Sequence, residues 1–309
     1  MKFIRHSVVD PSLQKGTAAV IGNFDGVHRG HQALFKAVKD LAEQTGLSML
    51  VIVFEPQTRE FFLKENAPPR ITPLRKKLQI FKQLGVDYVC CLRFGQRIAQ
   101  MSAVEFAQLV IFSQLNVKHL FVGGDFRFGC DRLGDSVLLQ SMALSYQAQV
   151  HVYPDVLLDD CKVSSTLVRQ ALQADDLNEA ERLLGRPFSM CGRVIYGDAQ
   201  ARQWGIPTAN IRLLHKPLPL HGVFSVRVVL QNEKTYQGVA NMGCRPTLDG
   251  LKNLLEIHLF DFSGSLYGQH LEVFFLHKLR DEQKFSSKET LIAQIHADVA
   301  AAKAYFLGV

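Results

Sequence analysis

The chain has 309 residues, 47% hydrophobic and 21% charged, with a formal net charge of +6, enough for two domains that each bury a core. No apolar run reaches the length of a membrane span, and Asp10, Gln14 and Lys15 break any signal-peptide core, so a cytoplasmic protein without membrane attachment is expected. The charge suits polyphosphate ligands as well as nucleic acid, but the basic residues are dispersed, without a basic tail or RNA-binding signature, and no nucleic-acid partner is expected.

Residues 1 to about 184 alternate between apolar runs and apolar-periodic segments. Strands are expected at 17–22, 48–54, 86–93, 117–122 and 150–153, and helices at 30–44, 73–84, 102–115, 134–148 and 166–173. Pro73 opens one helix, Gly85 stops it, and Ser102 with Glu105 forms a capping box. The run Met49 to Phe54 is continuously apolar, as when helices cover both faces of a parallel sheet. A doubly wound α/β domain follows, with ligands at the carboxyl ends of its strands. Arg75, Lys76 and Lys77 read as a solvated helix face. Cysteines 90, 91, 130, 161, 191 and 244 show no metal-ligand rhythm; most are expected to be buried free thiols.

After the first expected strand comes Gly22 to His31, GNFDGVHRGH, leading into a helix. Unpartnered backbone N–H groups at a helix start favour an anion, typically phosphate. His28 and His31, three apart, fall on one helical face and can reach the same anion, while Gly30 leaves room for close approach to the backbone. Beyond the fourth expected strand lies the glycine-rich stretch from Gly123 to Gly129, GGDFRFG, holding Asp125. A third piece, Val163 to Arg169, VSSTLVR, opens a helix; a serine there can cap it, and the Arg169 guanidinium suits multidentate phosphate binding.

The His28-Arg29-Gly30-His31 run resembles the HxGH signature of the nucleotidyltransferase superfamily. In its longer form it is similar to the opening of the bacterial riboflavin kinase/FMN adenylyltransferase family, the bifunctional FAD synthetases. The other two stretches resemble that family's GDDFRFG and ISSTxIR motifs, in the same order. The resemblance implies that His28 and His31 hold the ATP phosphates and that Arg169 stabilises charge on the transferring nucleotidyl group. It also implies nucleotide-binding roles for Gly22, Asn23, Phe24, Asp25, Asp125, Ser164, Ser165 and Thr166. The segment from Phe54 to Pro73 resembles the family's flavin-proximal loop.

Asp175 to Leu184 reads as a short acidic-capped helix stopped by Gly185, and the expected domain boundary falls there: 1–185, then 186–309. Short β-rich runs follow at 190–196, 222–230, 235–242, 254–262 and 271–278, best closed as a small antiparallel barrel. A last helix is expected at 287–306, opened by a capping box from Ser286 to Glu289.

This half carries GxVxxG (Gly192 to Gly197), PTAN (Pro207 to Asn210), GVANMGCRPT (Gly238 to Thr247), LEIHLFD (Leu255 to Asp261) and LYG (Leu266 to Gly268). In that order the segments resemble the family's riboflavin kinase module. The Thr208 hydroxyl and Asn210 carbonyl suit Mg²⁺, which prefers oxygen and takes few protein ligands. A carboxylate in an apolar strand, as at Glu256, is unusual unless paired or functional. The resemblance makes Glu256 the base for the ribityl 5′-hydroxyl, puts Arg280 and Glu282 near the flavin ring, and assigns Gly192, Gly197 and Arg202 to the nucleotide. Ala201 and Trp204 depart from the usual glycine and aliphatic residue, so a weakened kinase is one expectation. The implied substrates are ATP, riboflavin and FMN, with Mg²⁺; oligomeric state is left open.

Overall fold

A computed structural model describes residues 1–5, 11–197, 204–213, 217–247 and 250–308. These form two compact units, Met1–Pro68 with Leu74–Ser165, and Pro69–Pro73 with Thr166–Val309.

In the first unit, continuously apolar runs become the strands of a six-stranded, wholly parallel sheet: β1 (Lys2–Arg5), β2 (Thr17–Ile21), β3 (Ser48–Glu55), β4 (Tyr88–Arg93), β5 (Val117–Gly123) and β6 (Gln149–Tyr153), in the order β1-β4-β3-β2-β5-β6. Strand β1 was not expected; its four residues, KFIR, carry a charge at each end and pair only with β4 at the sheet edge. Along each central strand successive side chains face opposite ways. Ala18, Val20, Met49, Val51, Val53 and Phe121 pack with helices α1 (Arg29–Thr45) and α3 (Leu74–Gln83). Ala19, Ile21, Leu50, Ile52, Leu120 and Val122 pack against residues 103–115 and Leu139. Both sheet faces are covered, which is why the strands read as apolar on every position.

The 102–115 helix begins as expected, with Ser102 and Glu105 closing a capping box. From Phe106 to Gln114 its hydrogen bonding widens to a π-helix, and Phe106, Ala107, Val110, Ile111 and Phe112 are all buried. The 73–84 helix does not present Arg75-Lys76-Lys77 as a solvated face. Lys76 is 8% exposed and Lys77 0%. Of the five cysteines whose side chains are described, only Cys90 is buried, its thiol pushed up to about 12 by desolvation; Cys161 is exposed and the others are half-buried.

His119 and His151 stack at 5.4 Å between ring centroids on β5 and β6, with Nδ1 and Nε2 3.1 Å apart. Burial holds both imidazoles below the ordinary histidine range, and for His151 the neighbouring His119 adds to it. The unfolded chain therefore binds protons more readily than the folded one. The pair's contribution is complete above the unfolded pKa of about 6.5 and is lost as pH falls from there through the lowered folded values. We expect melting temperature to decline faster below pH 6.5 in the wild type than in a His119→Phe/His151→Phe variant. Parallel declines would contradict this.

Two short strands, β7 (Leu157–Leu158) and β8 (Cys161–Lys162), pair with each other after β6. The second unit is built on the strands β9 (Ser189–Ile195), β10 (Ala209–Leu213), β11 (Gly222–Val229), β12 (Thr235–Thr247), β13 (Gly250–Leu259) and β14 (His270–Arg280). They close an antiparallel barrel in the order β10-β13-β12-β11-β14-β9. Five were expected. The sixth, β10, lies on the PTAN segment, which local chemistry reads as a turn and cap. Its pairing with both β9 and β13 closes the barrel. Before the barrel come α7 (Ser165–Gln173) and α8 (Leu177–Leu184), the latter capped by Asp176 and stopped at Gly185 with φ 71°. The C-terminal helix α9 (Lys288–Leu307) starts one residue later than expected, its capping box being Ser287 with Thr290. Its Ala302, Val299 and Phe306 pack on Val223, Val239 and Phe260 of the barrel.

Candidate active sites

Strands β2 and β5 are neighbours, and the strand order reverses between them. The crevice beyond their carboxyl ends is where open α/β sheets bind ligands, and Gly22 to His31 and Gly123 to Gly129 follow those two ends. The first loop is strained: Phe24, Gly26 and Val27 have φ of 46°, 87° and 44°, and left-handed backbone costs a β-branched residue such as Val27 most. Surrounding groups hold it there. Lys77 Nζ donates to the Asn23 carbonyl at 2.6 Å, Ser165 Oγ to the Asp25 carbonyl at 2.7 Å, and Gln32 Nε2 to the Val27 carbonyl at 2.8 Å. The Phe24 ring is buried against Phe35 and His31, so only its backbone is available to a ligand. Asp25 is also buried, and Asn23 Nδ2 donates to Thr58 Oγ1.

His28 caps α1: its Nδ1 accepts the His31 backbone N–H at 3.4 Å. The two imidazoles stack 3.6 Å apart, sharing one face as their spacing implies. Gly30 has a more specific reason than open access to the backbone, because a Cβ there would come within 3.1 Å of His28 Nδ1 and 3.4 Å of the Val163 carbonyl. Val163 and the following serines thus lie over the histidine turn. Ser165 spends its hydroxyl on the Asp25 carbonyl, 140 residues away in sequence. Asp125, with an 85% exposed side chain, stands 3.8 Å from Lys162. Phe62 is 62% exposed and stands edge-on to Phe61 and Phe94. Thr166 and Arg169 belong to the second unit, where Arg169 Nε donates to the Pro69 carbonyl at 2.7 Å.

Lys77→Met keeps most of the buried stem and removes the donor that holds the Asn23 carbonyl. Losing a charged hydrogen bond in a buried setting costs about 2 kcal/mol. We expect a lower melting temperature and a loss of whatever chemistry the first loop performs, with the barrel's chemistry retained; equal loss of both would contradict a local role.

In the barrel, register builds the site. Asn210 on β10 lies opposite Glu256 on β13, Glu256 opposite Asn241 on β12, Asn241 opposite Val223 on β11, and Val223 opposite Arg280 on β14. All five line one cavity of about 420 Å³, with Thr208, Trp204, Glu282 and Phe285 also on its wall. Thr208 and Asn210 line a second cavity too, of about 300 Å³, with Gly197, Phe262 and Tyr267. Glycines 192 and 197 serve β10 directly, since a Cβ would overlap Ile211 at the first and the Asn210 amide at the second. At Gly192 the neighbour that such a Cβ would meet is thus a packing side chain. Arg280 lines the larger cavity, but its guanidinium is held by Asp298 of α9 at 2.8 and 2.7 Å. That pair fixes the helix that closes the wall. A Cβ on Gly243 would overlap the Glu282 carboxylate, so the glycine lets that side chain lie against β12. Ala201 and Arg202 lie outside the described residues.

Two family models match the chain in succession: FAD synthetase over residues 10–167 and riboflavin kinase over residues 184–306. The bifunctional riboflavin kinase/FMN adenylyltransferase of Pseudomonas fluorescens is 49% identical over 291 residues, covering 94% of this chain and 93% of its own. The protein of the same name from Escherichia coli K12 is 44% identical over 308 residues, 99% and 98% of the two chains. The chain belongs to the bifunctional riboflavin kinase/FMN adenylyltransferase family. A crystal structure described as the macrolide-efflux protein of Streptococcus pneumoniae has the same fold over 96% of this chain and 97% of its own, at 31% identity and a TM-score of 0.77. Among the described residues here, no helix is long and apolar enough to cross a membrane.

Two residues of this family member escaped sequence reasoning. Lys77 sits in a basic triplet whose ordinary reading is a wet helix face, and only its 3- and 4-residue spacing from Ile80, Phe81 and Leu74 places it inward. Asn241 lies within the GVANMGCRPT motif, but nothing local distinguishes it from a strand polar position; its meaning comes from being opposite Glu256.

Proposed function

We infer that this chain makes FAD in two steps: ATP phosphorylates riboflavin to FMN, and a second ATP transfers its adenylyl group to FMN, releasing pyrophosphate. The observation that carries the reading is the wall shared by the two barrel cavities. Phosphoryl transfer needs a donor and an acceptor brought end to end with charge neutralised between them. Thr208 and Asn210 face both cavities, and Glu256 opens into the larger. The smaller cavity is read as the nucleotide's, the larger as riboflavin's.

Glu256 takes the proton of the ribityl 5′-hydroxyl as its oxygen attacks the γ-phosphorus. Thr208 and Asn210 offer an all-oxygen donor set that fits Mg²⁺, which would neutralise phosphate oxygens there; Gly197 leaves the Asn210 amide its space. In the adenylyl transfer the nucleophile is the FMN phosphate, already ionised, so no base is needed. Positioning and charge stabilisation do the work: His28 and His31 hold the ATP phosphates, Arg169 stabilises charge on the transferring group, and Gly22, Asn23, Asp25, Asp125, Ser164, Ser165 and Thr166 shape the nucleotide site. Arg202 is assigned to the kinase's nucleotide, and Arg280 and Glu282 to the flavin end. The activities divide near residue 185, in keeping with a kinase match that begins at 184. The substrates are small molecules, and we place the enzyme in the cytoplasm.

Isotope position tests the reading. With riboflavin and Mg²⁺, γ-labelled ATP should label FMN and FAD alike, while α-labelled ATP should label FAD and leave FMN cold. No label in FMN from γ-labelled ATP would remove the kinase, and omission of Mg²⁺ should stop both transfers.

A further inference from the structure

The barrel cavity holds a polar group that the two-step reading leaves unused. Asn241 is the cross-strand partner of Glu256, one strand further from Asn210, and its Oδ1 is buried without a hydrogen-bond partner among the described residues. A buried amide oxygen left unmatched carries a desolvation cost of about 1–3 kcal/mol, so the position calls for a donor from outside the protein. Asn210 lies on the shared wall where phosphoryl transfer is read, and Trp204 and Phe285 bring aromatic surface to the same cavity. Neighbouring strands are ~4.8 Å apart, a few carbons of an extended polyol. With Glu256 at the terminal hydroxyl, Asn241 falls opposite an internal one.

We propose that Asn241 is a positioning residue of the kinase site, whose amide oxygen accepts a hydrogen bond from an internal ribityl hydroxyl and so sets the 5′-hydroxyl against Glu256. This rests on the reading of the larger cavity as the riboflavin site. The ribityl chain supplies the missing donor, and the polyol is recognised apart from the ring. A site that pairs a substrate hydroxyl discriminates strongly against an analogue lacking it.

The test uses the full chain and its single tryptophan. Trp204 lines this cavity, so quenching of its emission reports a bound flavin. Titrations with riboflavin and with lumiflavin, which has the ring but no ribityl chain, are run on wild type, Asn241→Ala and Asn241→Asp. We expect Asn241→Ala to weaken riboflavin binding and raise its KM roughly tenfold, with lumiflavin binding unchanged. Unchanged lumiflavin binding also shows that the barrel is folded. Asn241→Asp keeps an acceptor oxygen at that position and should bind riboflavin more tightly than Asn241→Ala does. Equal loss of both flavins, or riboflavin parameters identical to wild type, overturns the assignment of Asn241. A wild type that neither binds nor phosphorylates riboflavin overturns the cavity reading itself.

Discussion

Glu256→Gln is expected to abolish riboflavin phosphorylation while leaving conversion of supplied FMN to FAD at the wild-type rate. The substitution keeps the size of the side chain and one acceptor oxygen between Asn210 and Asn241, so the barrel register is retained. What disappears is the ability to take a proton. A positioned general base contributes roughly 10²–10⁴ in rate, so the loss should appear in kcat, with KM for riboflavin little changed. A variant that phosphorylates riboflavin normally would remove Glu256 from the reaction. One that loses KM and kcat together would make it a binding group.

The second large effect is expected at His31. Replacing it by Gln should lower FAD formation roughly 10²–10³-fold, with FMN accumulating from riboflavin at the normal rate. His28 is the less clean position, because its Nδ1 also caps α1 and loss of a cap costs about 1 kcal/mol of stability by itself. The His31 ring takes no part in that cap: it stacks on His28 and meets Phe24 edge-on. Retained adenylyl transfer in the His31 variant would take the histidine pair out of the phosphate site. Reduced riboflavin phosphorylation would mean that the α/β unit's histidines act on the kinase as well.

Legibility differed between the two halves for physical reasons. The doubly wound sheet was readable because a strand buried on both faces must be apolar at every position, as Met49 to Val53 are, and because helix ends carry local capping chemistry. The edge strand β1 escaped because four residues with charged ends give no such signal. In the barrel, β10 was hidden by its own motif: Pro207, Thr208 and Asn210 read as a turn, while Ala209, Ile211 and Leu213 supply the inward alternation. The motif glycines could be located from sequence but not explained. Gly30 yields to His28, Gly192 to Ile211 and Gly197 to Asn210, and each reason is a neighbour distant in sequence or visible only in three dimensions. Lys77 and Asn241 make the same point with polar side chains. Helical and strand period tell which face a residue occupies, but a buried lysine beneath the Asn23 carbonyl requires the register of one element against another.

The most direct measurement is product analysis with Glu256→Gln and His31→Gln, each alone and then mixed, given riboflavin, ATP and Mg²⁺. Two separate centres predict no FMN from the first variant, FMN without FAD from the second, and FAD from the mixture, because FMN released by one chain is adenylylated by the other. If either single variant fails at both half-reactions with FMN and riboflavin supplied in turn, the two chemistries share one centre and the division of labour between α/β unit and barrel is wrong.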